Sequence, residues 1–393
     1  MVFLKVMSSK ENRANKFTVK HENNHRARKA DIAFYGFRGG PGGISLTLIS
    51  LMNELASSGH RIHLVLHNGS IPERKHVHPA IKQIELPNGK LIKRAKALSS
   101  YLAEFRPKAV ISVREPGNRA LTGARLLWKG KVKAGFRVGM PISIALARRS
   151  PIKRFLRRQS IKFCYNKADI IIANHSAVAE DIALITGIPL DNIRVIPNGT
   201  VSEFLYEQAK EEPDHPWLKK KDCPVILGIG RLAKQKDFYT LIRAFHIVRR
   251  QLDAKLIILG EGKERPVLLS LIHQLGLKDS VDLYGHVENP YSFLNRADLF
   301  VLSSAWEGLP NALIEAMALG IPSVATDCKS GPREILENGR FGVLVPVRDE
   351  KAMGEAILNT LSDPPDPEFI KSGASRYRAS ICAQKYLEVL GLA

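Results

Sequence analysis

Two pairs of side chains in the second half of the 393-residue chain are spaced so that they could act on one ligand. The first pair is Arg231 and Lys236, in Gly228-Ile-Gly-Arg-Leu-Ala-Lys-Gln-Lys-Asp237, a segment that follows a strand-like run and precedes a helix-like one. Two cations at the carboxyl end of a strand suit a diphosphate, which Arg can bond bidentately and Lys can meet as a point charge; the same residues also fit a solvated loop. The second pair is Glu307 and Glu315, eight residues apart in Ala305-Trp-Glu-Gly-Leu-Pro-Asn-Ala-Leu-Ile-Glu-Ala316. A Gly-Leu-Pro turn opens a helix there, with proline at or near its first position, so Glu307 belongs to the loop and Glu315 lies a turn into the helix. Carboxylates so placed can hydrogen-bond the hydroxyl-rich parts of one ligand, a sugar and a ribose for instance, although either alone reads as readily as a surface acid.

A third candidate is the glycine-rich turn Gly36-Phe-Arg-Gly-Gly-Pro-Gly-Gly43. Glycines between a strand and a helix let backbone N–H groups approach an anion at the helix N-terminus, and they equally make a structural tight turn. A nicotinamide-dinucleotide site is excluded: Ser45 stands where the third glycine of that fingerprint belongs, and the next strand ends in His67-Asn68 rather than in an acid.

The elements that must position these residues follow from the hydrophobic pattern. IAFYGF, the turn, ISLTLISLMNELASSGH and IHLVL form a βαβ unit in which Ile44, Leu48, Leu51 and Leu55 share one helical face. AVISV at 109–113 and DIIIAN at 169–174 are further buried strands, the second followed by a helix and by VIPNG. Around residues 205–222 the charged, proline-punctuated EQAKEEPDHPWLKKKD marks a linker or exposed hairpin. A second alternation then begins, with strands PVILGIG, KLIILG, VDLYG, LFVLS and PSVAT separated by helix-like segments. Each half is therefore expected to be a Rossmann-like, doubly wound parallel α/β domain, with a ligand cleft between the two, at the carboxyl ends of the strands. The expected order is a mobile basic tail (1–29), an N-terminal Rossmann-like domain (30–210), a linker (211–222), a C-terminal Rossmann-like domain (223–370) and a helical segment (371–393) packing back on the first domain.

In their order, these segments resemble the retaining glycosyltransferases of family 4, whose fold is GT-B. The matching positions are Gly42-Gly43, IPNG at 196–199, GIGRLAKQKD at 228–237, GEG at 260–262, YGHV at 284–287 and SSAWEGLPNALIEAMALGIPSVAT with its two acids. The resemblance implies transfer of a sugar from a nucleotide diphosphate, with uridine as the base, to an acceptor, with retention at the anomeric carbon. It assigns Arg231 and Lys236 to the leaving diphosphate, Glu307 to donor-sugar hydroxyls, Glu315 to the ribose, and the backbone near His286 and Val287 to the base. Gly42 and Gly43 would meet the donor phosphates, and Gly260, Gly308, Leu309 and Asn311 would line the donor beside them. Beyond the nucleotide sugar as co-substrate no cofactor is implied, and without an Asp-x-Asp pair no metal is expected. One departure stands out: the family His after the strand that precedes the basic stretch is missing from Phe136-Arg-Val-Gly-Met-Pro-Ile-Ser143, so that either another residue, Arg114 or Ser143, takes its role or the acceptor chemistry differs.

The net charge of +21 is one-sided: residues 1–210 carry 36 basic and 14 acidic side chains, residues 211–393 carry 23 and 24. Such asymmetry points to a polyanionic partner of the N-terminal half. Residues 148–162, RRSPIKRFLRRQSIK, hold seven cations, and Ile152, Phe155 and Leu156 share a helix face, the pattern of a basic amphipathic helix at an anionic membrane surface; a helix packed on its domain with a solvated basic side is the alternative. Lys90, Lys93, Arg94 and Lys96, and Lys129, Lys131, Lys133 and Arg137, add to the basic surface. The expected acceptor is a lipid-linked glycan, a lipopolysaccharide or a cell-surface polysaccharide at the cytoplasmic membrane face, the protein being cytoplasmic and peripheral. Scattered cysteines, the lack of an apolar run of about 20 residues and a charged N-terminus agree with that placement. Nucleic-acid binding has only the charge in its favour, since no RNP or zinc-finger spacing occurs. A nucleotide-sugar epimerase of similar fold is the alternative enzyme.

Overall fold

The computed structural model describes residues 29–37, 43–67, 75–147 and 149–393. The tail expected over 1–29 lies outside these apart from Lys29, as do Gly42 and Arg148. The N-terminal sheet has seven parallel strands: β1 (Ile32–Tyr35), β2 (Ile62–His67), β3 (Lys82–Leu86), β4 (Ala109–Ser112), β5 (Lys133–Val138), β6 (Ile170–Ala173) and β7 (Ile193–Val195), in the order β3-β2-β1-β4-β5-β6-β7. The second sheet has six: β8 (Val225–Ile229), β9 (Lys255–Leu259), β10 (Val281–Gly285), β11 (Leu299–Leu302), β12 (Ser323–Thr326) and β13 (Val343–Val345), in the order β10-β9-β8-β11-β12-β13. Both orders reverse once, between β1 and β4 and between β8 and β11, and at such a reversal a crevice opens outside the carboxyl ends of the strands.

Parallel strands covered by helices on both faces read as continuous apolar runs, and every residue of β1, β4, β11 and β12 is buried. Ile32 and Phe34 point to one layer of the N-terminal domain, Ala33 and Tyr35 to the other. The first layer is filled by Leu48, Leu51, Met52 and Leu55 of the helix Gly43–Ser57. It is completed from the far end of the chain: Cys382, Ala383, Tyr386, Leu387 and Leu390 of the helix Ala379–Leu390 enter the same layer, and Lys133 Nζ donates to the Leu390 carbonyl at 2.8 Å.

The chain therefore crosses between domains twice, and the crossings are bonded to each other. The Val201 N–H donates to Tyr377 O at 3.0 Å and the Ala379 N–H to Val201 O at 2.8 Å. Gly199, the last residue of IPNG, permits this approach, because a Cβ there would stand 2.9 Å from the Ala379 Cα.

Three expectations need correction. Residues 211–222 are no exposed linker: His215 and Leu218 are buried, His215 Nε2 lies 3.2 Å from Asp282 Oδ2, and Tyr284 donates to Asp214 O at 2.6 Å, so the segment is folded onto the C-terminal domain. The C-terminal core already includes Val201, Leu205 and Ala209. Arg137 is not part of the basic surface; it is buried and donates to Asn198 Oδ1.

Candidate active site

The C-terminal half of the site grows out of the carboxyl ends of β8, β9 and β11. After β8 the backbone turns at Gly230, where a Cβ would lie 2.8–3.0 Å from the Cγ, Cδ and Cε of Lys236; the missing side chain is what lets the lysine stem fold back over the strand end. A Cβ on Gly260, after β9, would stand 2.0 Å from Gly230 O. The two loops are stitched by Gly230 N–H to Leu259 O (2.9 Å) and Leu232 N–H to Glu261 O (3.0 Å). Only glycine at 260 fits that contact.

Lys236 Nζ is 2.6 Å from Glu307 Oε1. Glu307 is buried to 8% exposure, in the loop after β11, and Ser304 Oγ donates to the same Oε1 at 2.6 Å. Both bonds fall on one oxygen, which leaves Oε2 to take a hydroxyl donor. The loop is fixed from beneath: Ser303 Oγ donates to Lys236 O (2.7 Å), Thr326 Oγ1 to Ser304 O (2.6 Å), and Ala305 N–H to Gln235 O (2.8 Å). Glu315 lies in the helix Asn311–Ala318, buried. Burial pushes its carboxyl up to about 7, against the pull of the Lys236 charge and a hydrogen bond from the Tyr291 hydroxyl. Lys236 thus stands between a bonded carboxylate and a carboxyl close to half-protonated at neutral pH.

The structure brings Lys236, Glu307 and Glu315 together. Arg231 is at the same strand end but exposed, and among the described residues it enters no ion pair. His286 and Val287 follow β10, on the outer edge of the sheet, with His286 exposed and Val287 partly buried. Leu309 packs into the C-terminal core, so only its backbone can face a ligand. Asn311 Oδ1 is engaged across the cleft, accepting from Asn198 Nδ2 at 2.9 Å and from Thr200 Oγ1 at 3.4 Å. Gly43 opens the first helix of the N-terminal domain; Gly42 lies outside the described residues. Among the described residues no three His, Cys, Asp or Glu side chains converge as metal ligands would.

Gly308 is where the two domains touch over the site: a Cβ there would lie 3.3 Å from Gly139 O and 4.0 Å from His175 Nε2. His175 was missed in the sequence. It follows β6, is fully buried, and neither ring nitrogen has a hydrogen-bond partner. Burial holds its imidazole below the ordinary range, against the attraction of Glu334 and Glu180, so it is neutral and offers one donor and one acceptor. Neighbouring Asn174 donates to Gly139 O at 3.2 Å while its Oδ1 is unpartnered. Of the two replacements named for the missing family His, Arg114 is exposed ahead of the helix Glu115–Leu127, and Ser143 is exposed with its N–H bonded to Asp181 Oδ2 at 3.1 Å. The signal was available in the order of residues, since a polar Asn-His pair directly after the all-apolar IIIA of β6 falls at a strand's carboxyl end.

Comparison with known proteins fits this geometry. The profile described as Glycosyltransferase Family 4 matches residues 41–204, and that described as Glycosyl transferases group 1 matches residues 209–376. The chain belongs to glycosyltransferase family 4. An uncharacterized glycosyltransferase of Methanocaldococcus jannaschii is 34% identical over 258 residues, 63% of this chain and 62% of its own length. The N-acetylgalactosamine-N,N'-diacetylbacillosaminyl-diphospho-undecaprenol 4-alpha-N-acetylgalactosaminyltransferase of Campylobacter jejuni is 36% identical over 214 residues, 54% of this chain and 55% of its own. A lipopolysaccharide core biosynthesis glycosyltransferase of Rhizobium meliloti is 32% identical over 199 residues, 51% and 56% respectively. The matched stretches thus span between about half and three-fifths of the length of these relatives. Anabaena HepE, solved with UDP and glucose, superposes with a TM-score of 0.74 at 20% identity, covering 93% of this chain and 100% of that one, a likeness of fold. Both parallel-sheet domains share the GT-B architecture of that structural neighbour.

Proposed function

We propose that this family 4 protein transfers a hexose from a UDP-linked donor, with retention at the anomeric carbon, to a glycan carried on a lipid or lipopolysaccharide at the inner face of the cytoplasmic membrane. The observation that carries the reading is the ion pair of Lys236 with the buried Glu307, with buried Glu315 beside it, at the strand ends where the two domains meet. Undecaprenol-linked and lipopolysaccharide acceptors stand in the names of relatives, and UDP occupies a neighbour of the same fold.

In this mechanism the diphosphate leaves with growing negative charge, so Lys236 and Arg231 act most strongly in the transition state. Those two cations perform the charge neutralisation, and we assign no metal to the step. Glu307 Oε2 accepts a donor-sugar hydroxyl, and ionised Glu315 accepts from the ribose. The acceptor hydroxyl attacks from the face the diphosphate leaves: the anomeric C–O bond to phosphate breaks, the bond to the acceptor oxygen forms, and the departing phosphate oxygen takes the proton. No protein nucleophile is required. His175, neutral and unpartnered beside Gly308, is assigned the N-terminal domain's hydrogen bond to the transferred sugar.

The test is release of UDP from UDP-hexoses with and without a polyprenyl-linked or lipopolysaccharide acceptor, with the product's anomeric configuration read by proton NMR. Acceptor-dependent release and an axial linkage from an axial donor are expected. Release or epimerisation of the sugar without acceptor, or an inverted linkage, overturns the reading.

A further inference from the structure

The helix Pro151–Tyr165 carries two apolar faces, and only one of them is used by the fold. Ile161, Cys164 and Tyr165 turn inward and are buried. That orientation is locked: Asn118 Nδ2 donates to the Tyr165 hydroxyl at 3.1 Å, and Arg157 is ion-paired to Glu115. At 100° per residue, Ile152, Phe155, Leu156 and Phe163 fall within about 100° of arc on the opposite side. They are 76%, 60%, 61% and 53% exposed. Amphipathic helices normally turn such a stripe to the core; here it points away from the protein.

We infer that this outward face docks the protein on an anionic lipid bilayer. Lys153, Arg158 and Lys162 are exposed along the flanks of the stripe, and among the described residues none of the three is in an ion pair. Aromatic and aliphatic side chains bracketed by cations match the boundary between acyl chains and acidic headgroups. A contiguous exposed apolar patch marks an interface of some kind, and charge selects among the occupants. A second copy would bring the same cations face to face. A nucleic acid has no use for four exposed apolar side chains. The surrounding half of the chain carries the whole cationic excess, 36 basic against 14 acidic residues over 1–210. The helix also begins a dozen residues after Gly139, the residue that touches Gly308 over the site. The inference deepens the proposed function by naming the surface that meets the acceptor's membrane; it does not depend on the donor chemistry.

The test is cosedimentation of the full chain with vesicles of phosphatidylcholine alone or of equimolar phosphatidylcholine and phosphatidylglycerol, at low and high salt. Wild type is expected to sediment with the anionic vesicles only, and less at high salt, where the Debye length shrinks to about 3 Å near 1 M. Each cation near an anionic leaflet strengthens binding about fivefold, so Lys153→Glu with Lys162→Glu should weaken it by more than about twentyfold. Phe155→Ser with Leu156→Ser should weaken it at least about tenfold. Both variants alter exposed residues only and should keep the wild-type melting temperature and its rise with UDP-glucose. Wild type left in the supernatant, equal sedimentation with neutral vesicles, variants that sediment like wild type, or a wild-type dimer that the Ser variant dissociates would each overturn the inference. Vesicle binding without any nucleotide-sugar shift would leave it standing and remove the donor reading instead.

Discussion

Lowering the pH from about 8 to about 6 should weaken binding of UDP-glucose about tenfold through the single carboxyl group of Glu315. In the free protein burial raises that group from 4.5 to about 7, which corresponds to roughly 3 kcal/mol of penalty on the charged form. A carboxylate accepting from ribose hydroxyls must be ionised, and with a folded value near 7 about nine-tenths of the molecules are ionised at pH 8 and about one-tenth at pH 6. The nucleotide sugar is a suitable probe because its esterified diphosphate does not titrate over this range, whereas the terminal phosphate of free UDP does. Isothermal titration without acceptor, across this pH range, gives the affinity directly. Glu315→Gln should bind weakly at every pH, with the slope gone. Equal wild-type affinity at both ends, or a slope that survives in Glu315→Gln, would refute the assignment of this carboxyl to the ribose. The same group has a consequence for stability. Its folded value lies above the unfolded one, so the native state holds the extra proton between about 4.5 and 7, and the donor-free protein should lose stability as the pH rises through that window, visible as a falling urea midpoint.

Glu307→Gln keeps an acceptor for Ser304 but removes the charge facing Lys236, and transfer should fall by about two orders of magnitude with little change in melting temperature; near-wild-type turnover would remove Glu307 from the site. Lys236→Ala should lower turnover by at least as much and also lower the melting temperature, because the buried Glu307 carboxylate loses its cation, which differential scanning calorimetry would detect. Gly260→Ala, whose Cβ would meet Gly230 O at 2.0 Å, should lower stability by about 2 kcal/mol or more in urea unfolding; an unchanged midpoint would contradict the described loop contact. His175→Ala should lower kcat with UDP-hexose about tenfold or more, and His175→Gln, which keeps a donor and an acceptor, should recover part of the loss; equal kcat in all three proteins would return His175 to a packing role.

Legibility of the fold from the sequence followed burial on two faces. β1, β2, β4, β6, β8, β9 and β11 are mostly apolar runs and stand out as such, whereas β10, VDLYG, and β12, SVAT, are less apolar and follow from the alternation of strand-like and helix-like segments around them. β3 did not, because Lys82–Leu86 is an edge strand with only Ile84 and Leu86 buried, and β13 is three residues long with one of them buried. β5 interrupts its apolar run with Arg137, whose charge is buried against Asn198, a residue 61 positions later; no local pattern carries that. The charged segment at 211–222 misled for a related reason, since its few buried groups, His215 and Leu218, are hidden among solvated lysines and acids. Within the site, the loop-helix spacing of Glu307 and Glu315 was readable. The salt bridge from Lys236 to Glu307 spans 71 positions and His175 meets Gly308 from the other domain, contacts that only the folded chain creates. For the helix 151–165 the periodicity was plain, but which apolar face turned inward was decided by Ile161, Cys164 and Tyr165 packing beneath it.

A crystal structure of the protein with a UDP-hexose would put the grip on the diphosphate to the most direct test. The diphosphate is expected within hydrogen-bonding distance of Lys236 Nζ and the Arg231 guanidinium, the hexose hydroxyls on Glu307 and the ribose on Glu315. Donor density in another part of the molecule, or a diphosphate bound with Lys236 still closed on Glu307 and turned away from it, would contradict the proposed chemistry.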